Sequence, residues 1–111
     1  MTSVHIIGTG LIGTSLGLAL TRQGADVTLE DAITTHVALA RDLGAGRAVG
    51  SGEHLEPDLV VVATPPDVTA ACVEAALARW PEATVTDVAS VKGTVLAALR
   101  RDGADLARYC G

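Results

Sequence analysis

Residues 8–13 read Gly-Thr-Gly-Leu-Ile-Gly, a complete G-x-G-x-x-G. A short apolar run, Val4 to Ile7, precedes it, and a helical pattern follows, with Ile12, Leu16, Ala19 and Leu20 placed on one face. Strand, glycine turn and helix form the context in which this spacing binds a dinucleotide. Gly8 permits the tight turn out of the strand, Gly10 lets a pyrophosphate approach bare backbone, and Gly13 lets the helix lie close to the strand. The N–H groups of the first helical turn have no intrahelical partner and sit at the positive end of the helix dipole, so they suit an anion. The expected cradle is therefore Gly8, Thr9, Gly10, Leu11, Ile12 and Gly13.

A second requirement falls further along. A dinucleotide fold places an acid at the end of its second strand, about 20 residues past the glycines, to hold the adenosine ribose. Asp31 is 18 residues past Gly13 and Glu30 is 17. Val27 and Leu29 alternate inward and the strand should end near Glu30, so Asp31 is favoured over Glu30; two solvated loop acids is the alternative reading. Ala32, Ile33 and Thr34 follow, with no Arg to receive a 2′-phosphate. NAD is expected in preference to NADP.

The remaining elements must position these groups. Strands are expected over residues 3–7, 25–30, 58–63 and 84–88, with a short one in the glycine-rich loop 44–52 and another beginning near residue 106. The run DLVVVA is continuously apolar after Asp58 and rich in β-branched Val, as a parallel strand buried on both faces reads. Helices are expected over residues 11–23, 36–43, from Asp67 to about Trp80, and from about 91 to 101. Gly24 and Gly44 mark the first two helix ends, Thr34 or Thr35 is expected to cap the second helix, and Asp67 the third. Val68, Cys72, Ala75 or Ala76, and Arg79 mark the expected face of the third. This alternation predicts an α/β, Rossmann-type doubly wound, mostly parallel sheet in the order 3-2-1-4-5-6. Thr64-Pro65-Pro66 then falls at the carboxyl end of a central strand, where ligands lie. Asp87, Ser90 and Lys92 come to the same rim; from spacing alone, a helix cap with a surface Lys accounts for them as well as a site does.

The 111 residues suffice for one domain with a core, not two. A net charge of −5 without a Lys/Arg cluster argues against a nucleic-acid partner. No apolar run approaches the ~20 residues that span a bilayer, and no basic segment of a signal peptide precedes the first strand. Cys72 and Cys110 follow no metal spacing and read as reduced thiols, which implies a cytoplasmic protein; Cys72 is expected to be a small core residue. His5 reads as an ordinary strand side chain and His36 as a solvated helix residue. Glu53, His54 and Glu56 read as a solvated loop, and no metal site is expected.

Taken together, IIGTGLIGTSLGLAL, VVVATPP and VTDVASVKG resemble the nucleotide-binding half of prephenate and arogenate dehydrogenases over essentially the whole chain. The D-V-x-S-V-K-G stretch is the more specific part. The resemblance implies oxidation of prephenate, or its amino analogue arogenate, by NAD(P), with ring decarboxylation, in tyrosine biosynthesis. It implies that Gly8 to Gly13 hold the pyrophosphate, Asp31 the ribose, and that Thr64 and Pro65 line the nicotinamide. Ser90 would assist the catalytic base beside the substrate hydroxyl, and Lys92 would brace that loop. The family's catalytic His stands in a G-x-H-P-M-x-G motif, and this chain reaches Cys110-Gly111, the first glycine of that motif. None of His5, His36 or His54 matches it. The expectation is a cofactor-binding domain, residues 1–111, inactive alone, whose helical substrate and dimerisation domain lies outside the chain; the full-length form is expected to be a homodimer. A stand-alone NAD-binding module, or a dehydrogenase of another hydroxy acid or an imine, are the alternatives.

Overall fold

The computed structural model describes residues 2–50 and 52–88, and the backbone of 109–110. In chain order the elements are β1 (Ser3–Ile7), α1 (Leu11–Arg22), β2 (Asp26–Glu30), α2 (Thr34–Asp42), β3 (Arg47–Ala48), β4 (Leu59–Val62), α3 (Pro66–Arg79), β5 (Thr84–Asp87) and β6 (Tyr109–Cys110). They form one sheet in the order β3-β2-β1-β4-β5-β6, and every pairing is parallel. This is the expected Rossmann-like order. Ser90 and Lys92, with the helix expected near them, lie outside the described residues.

Parallel strands are covered by helices on both faces, so successive side chains feed two cores. Val4, Ile6, Val27, Leu29 and Val61 pack on the face covered by α1 and α2. Val60, Val62 and Val85 pack on the other face, against Val73, Ala76, Leu77 and Trp80.

The helices bury different residues from those that apolar spacing marks. In α1 the buried residues are Gly13 and Gly17, with Leu16 and Leu20 half-buried beside them, whereas Ile12 and Ala19 are exposed. A Cβ on Gly17 would stand 2.6 Å from the Ala45 carbonyl oxygen, so close packing against the loop before β3 excludes a side chain there. In α3 the buried set is Thr69, Val73, Ala76 and Leu77, one position on from the expected face, and Val68 is exposed. Thr69 tolerates burial because its hydroxyl lies 3.2 Å from Thr64 Oγ1 and within donating distance of the carbonyls of Thr64 and Pro65, at 3.2 and 3.0 Å. Asp67 sits in the first turn but makes no cap; α3 starts on Pro66, whose missing N–H is one that the helix leaves unpaired in any case. Likewise neither Thr34 nor Thr35 caps α2, which begins after Ile33.

His5 is fully buried in β1 and is a hub of the fold. Its Nε2–H donates to Glu30 Oε1 at 2.9 Å, since a carboxylate only accepts, and its Nδ1 shares a 2.7 Å hydrogen bond with Thr28 Oγ1. Trp80 meets the ring edge-on at 5.0 Å, and Arg79 donates to the same Glu30 oxygen at 3.0 Å while its guanidinium covers the Trp80 ring. The His5 hydrogen bond is the largest influence on Glu30; partial burial opposes it, and the charges of His5 and Arg79 add to it, so the carboxyl is held below its ordinary 4.5.

Replacing His5 with Ala removes a packed ring and two hydrogen bonds, and is expected to cost about 2–4 kcal/mol in urea denaturation. Because the folded Glu30 carboxyl is lowered, its contribution is present above its ordinary value and is lost as pH falls below it. The acid limb of stability should therefore flatten in His5→Ala relative to the parent.

Candidate functional site

Four parallel strands deliver their carboxyl ends to one rim, and there the turn after β1 is built around two missing side chains. Gly8 adopts φ +100°, and a Cβ on it would fall 2.5 Å from the Ala63 carbonyl oxygen at the end of β4. A Cβ on Gly13 would meet the Gly8 carbonyl oxygen at 2.0 Å. The first turn of α1 thus lies directly on the turn leaving β1. Gly10 differs: nothing lies within 4 Å of where its Cβ would be. It is the N-cap of α1, no side chain caps that end, and no acid occupies the first turn. An open glycine before an uncapped, acid-free helix N-terminus is a cradle suited to a phosphate-bearing ligand. Leu11 and Ile12 stand in solvent at its mouth, 86% and 59% exposed.

Asp31 closes the next side. Its Oδ2 accepts from the Thr9 backbone N–H at 2.7 Å and the Thr9 hydroxyl at 3.1 Å, and its Oδ1 accepts from the Ile33 N–H at 2.8 Å. Partial burial alone would raise its carboxyl. The hydrogen bonds from Thr9 and Ile33, with the charge of His36, outweigh that and hold it below its ordinary 3.8. The two consecutive acids therefore part: Glu30 turns to His5 and Arg79, and Asp31 to the glycine turn.

Beside Asp31 opens a cavity of ≈ 340 Å³ lined by Leu29, Glu30, Asp31, Thr34, Val37, Ala38, Arg41, Ala48 and Val49. Five of the nine lining residues are aliphatic and four are polar or charged, a mixture that suits a small-molecule ligand. Periodicity alone does not show this cavity, because it is assembled from β2, α2 and β3 together. Across the rim, Thr64 is half-buried after β4 and Pro65 is exposed. Pro65 is extended, with φ −54° and ψ 145°, the conformation that the following Pro66 imposes. Asp87 is buried at the end of β5. The structure thus brings together Gly8, Thr9, Gly10, Leu11, Ile12, Gly13, Asp31, Thr64 and Pro65 at one rim.

The other candidate polar groups lie elsewhere. Glu53 turns to Arg47 at 2.8 Å and accepts from the Gly50 N–H at 2.9 Å, which lowers its carboxyl to about 2. His54 pairs with Glu56 at 3.3 Å, so the three residues do not converge. Cys72 is half-buried against the α3 core. No helix among the described residues is long and apolar enough to cross a membrane.

Residues 16–111 match the family described as the nucleotide-binding domain of prephenate dehydrogenase. A probable prephenate dehydrogenase of Streptomyces niveus, NovF, is 40% identical over all 111 residues, which correspond to 30% of its length. Among solved structures, prephenate dehydrogenase from A. aeolicus, in complex with hydroxyphenyl propionate and NAD+, superposes with a TM-score of 0.81 at 27% identity, over 98% of this chain and 40% of that one. The arogenate dehydrogenase of Synechocystis gives 0.75 at 25% identity, over 89% and 37%. The chain thus spans well under half the length of these relatives.

Substitutions at two glycines separate folding from binding. Gly13→Ala drives a Cβ into backbone and is expected to cost about 3 kcal/mol or more. Gly10→Ala has room and should cost less than about 1 kcal/mol, close to the preference of an N-cap for Gly over Ala, yet place a methyl group in the cradle. Chemical denaturation with dinucleotide titration on both variants checks the contrast: Gly10→Ala should be folded and weak in binding.

Proposed function

The chain belongs to the prephenate dehydrogenase family, as its nucleotide-binding domain, and from that premise we propose that it holds NAD for the oxidative decarboxylation of prephenate or arogenate. The observation that carries the reading is the open Gly10 before an uncapped helix N-terminus, with Asp31 fixed beside it. Bound NAD supplies a hydride acceptor; the rest falls to the chain. Backbone N–H groups at Gly10 to Gly13 take the pyrophosphate. Asp31 takes the adenosine ribose, and the cavity between Leu29, Val37 and Val49 takes the adenine. Thr64 and Pro65 border the nicotinamide, with Leu11 and Ile12 covering the pyrophosphate from solvent.

Ser90, in the V-A-S-V-K-G stretch, is proposed to assist the base beside the substrate hydroxyl, and Lys92 to brace that loop. A general base must reach the proton it removes. Among the described histidines, His5 is committed to Thr28 and Glu30 within the sheet. From the resemblance to one domain of longer relatives, we propose that residues 1–111 bind the cofactor and that the base, the substrate pocket and dimerisation belong to the part of those relatives that this chain does not cover. The acid at Asp31 favours NAD over NADP, because a 2′-phosphate would meet like charge.

Asp31→Ala should weaken NAD binding about tenfold, the worth of charge-assisted hydrogen bonds lost from the ribose, and narrow the preference over NADP; calorimetric titration of both dinucleotides measures this. Unchanged NAD affinity would remove Asp31 from the site. The reaction itself is tested by NADH formation from prephenate and from arogenate with the full-length protein, compared with residues 1–111. Turnover by the full-length protein alone is expected. NAD binding without turnover in either would favour a nucleotide-binding module.

A further inference from the structure

The carboxylate assigned to the ribose has a titratable neighbour that the glycine turn does not use. His36 Nδ1 stands 3.7 Å from Asp31 Oδ2, and the His36 side chain is 48% exposed. Asp31 is already largely engaged: Oδ2 accepts twice from Thr9, and Oδ1 accepts once from Ile33. A carboxylate offers about four acceptor sites, so Oδ1 keeps one open toward a sugar hydroxyl. A 2′-phosphate in place of that hydroxyl would put negative charge against a carboxylate held in its charged form. The group poised to offset that charge is His36.

The other charged groups around it are accounted for on each element. Glu30, at the end of β2, also borders the cavity, and its carboxylate pairs with His5 and Arg79. On α2, Arg41 also lines the cavity, and its guanidinium lies 3.4 Å from Asp42. On α1 the first turn holds no acid, and the basic residue, Arg22, is in the last turn.

Resting on the assignment of the NAD ribose to Asp31, we propose that His36 is a specificity-determining residue, setting how strongly this site rejects a 2′-phosphorylated dinucleotide. Neutral His36 leaves the Asp31 charge uncompensated, and NADP is refused. Protonated His36 offsets that charge and presents an N–H to a phosphate oxygen. NAD carries no 2′-phosphate and is affected less. Discrimination therefore relaxes when His36 carries a proton.

The test is the ratio of NADP to NAD dissociation constants for the chain and for His36→Gln, at about pH 8 and about pH 5. The 2′-phosphate itself gains a proton near about pH 6, so the glutamine variant supplies the baseline. The ratio should fall about threefold further in the parent than in His36→Gln, the scale of an exposed ion pair. His36→Arg, charged at both pH values, should show a lowered ratio already at the higher one. Equal pH dependence in parent and His36→Gln, with NAD still bound, overturns the role of His36 alone. Failure of the parent to bind NAD at either pH overturns the nucleotide assignment and this inference with it.

Discussion

The contact on which this structure depends is backbone against backbone, at the point where α1 presses on the turn leaving β1. A side chain at Gly13 would overlap the Gly8 carbonyl, and one at Gly8 would overlap the carbonyl of Ala63. Both absences are needed for α1 to sit over β1 and β4 at this distance. Once it does, the N-terminus of the helix is aimed across the rim, uncapped and free of acids. The site is therefore a consequence of close packing, and Gly10, which packs against nothing, is the position that packing leaves to a ligand.

The end of β2 ties that turn to the rest of the sheet. Strand alternation sends consecutive acids to opposite sides. Glu30 joins the buried His5 and Thr28 to the exposed Arg79, and Asp31 accepts from both donors of Thr9. The Glu30 contacts fix the strand end, and the Asp31 carboxylate pins the glycine turn. Fixing the acceptor before a ligand arrives limits the conformational entropy that binding would otherwise cost.

Much of this was legible in the sequence, for reasons that differ by element. The strands were readable because β-branched runs such as Leu59–Val62 have few other uses, and strand order followed from right-handed crossovers. The glycine turn and Asp31 were readable because their spacing is dictated by ligand geometry. Helix faces were legible in part: the close approach at Gly13 was expected, but apolar spacing also marked Ile12 and Ala19, which are exposed, and α3 buries Thr69, whose hydroxyl is satisfied by carbonyls one turn back. His5 looked ordinary because its partners come from another strand. The available hint was that Asp26, Thr28 and Glu30 alternate with Val27 and Leu29 along β2, with His5 in register with Thr28. The cavity beside Asp31 needs three elements at once, so no local pattern announces it.

The most direct test of the central claim, that a dinucleotide lies along the glycine turn from Asp31 to Thr64, is an amide chemical-shift map of the chain titrated with NAD. Saturable shifts are expected at Gly8 to Gly13, at Asp31 to Ile33 and at Thr64, with the Thr9 and Ile33 amides moving because their shared acceptor is engaged. Saturable shifts confined to other surfaces, or no shifts at saturating NAD, would contradict it.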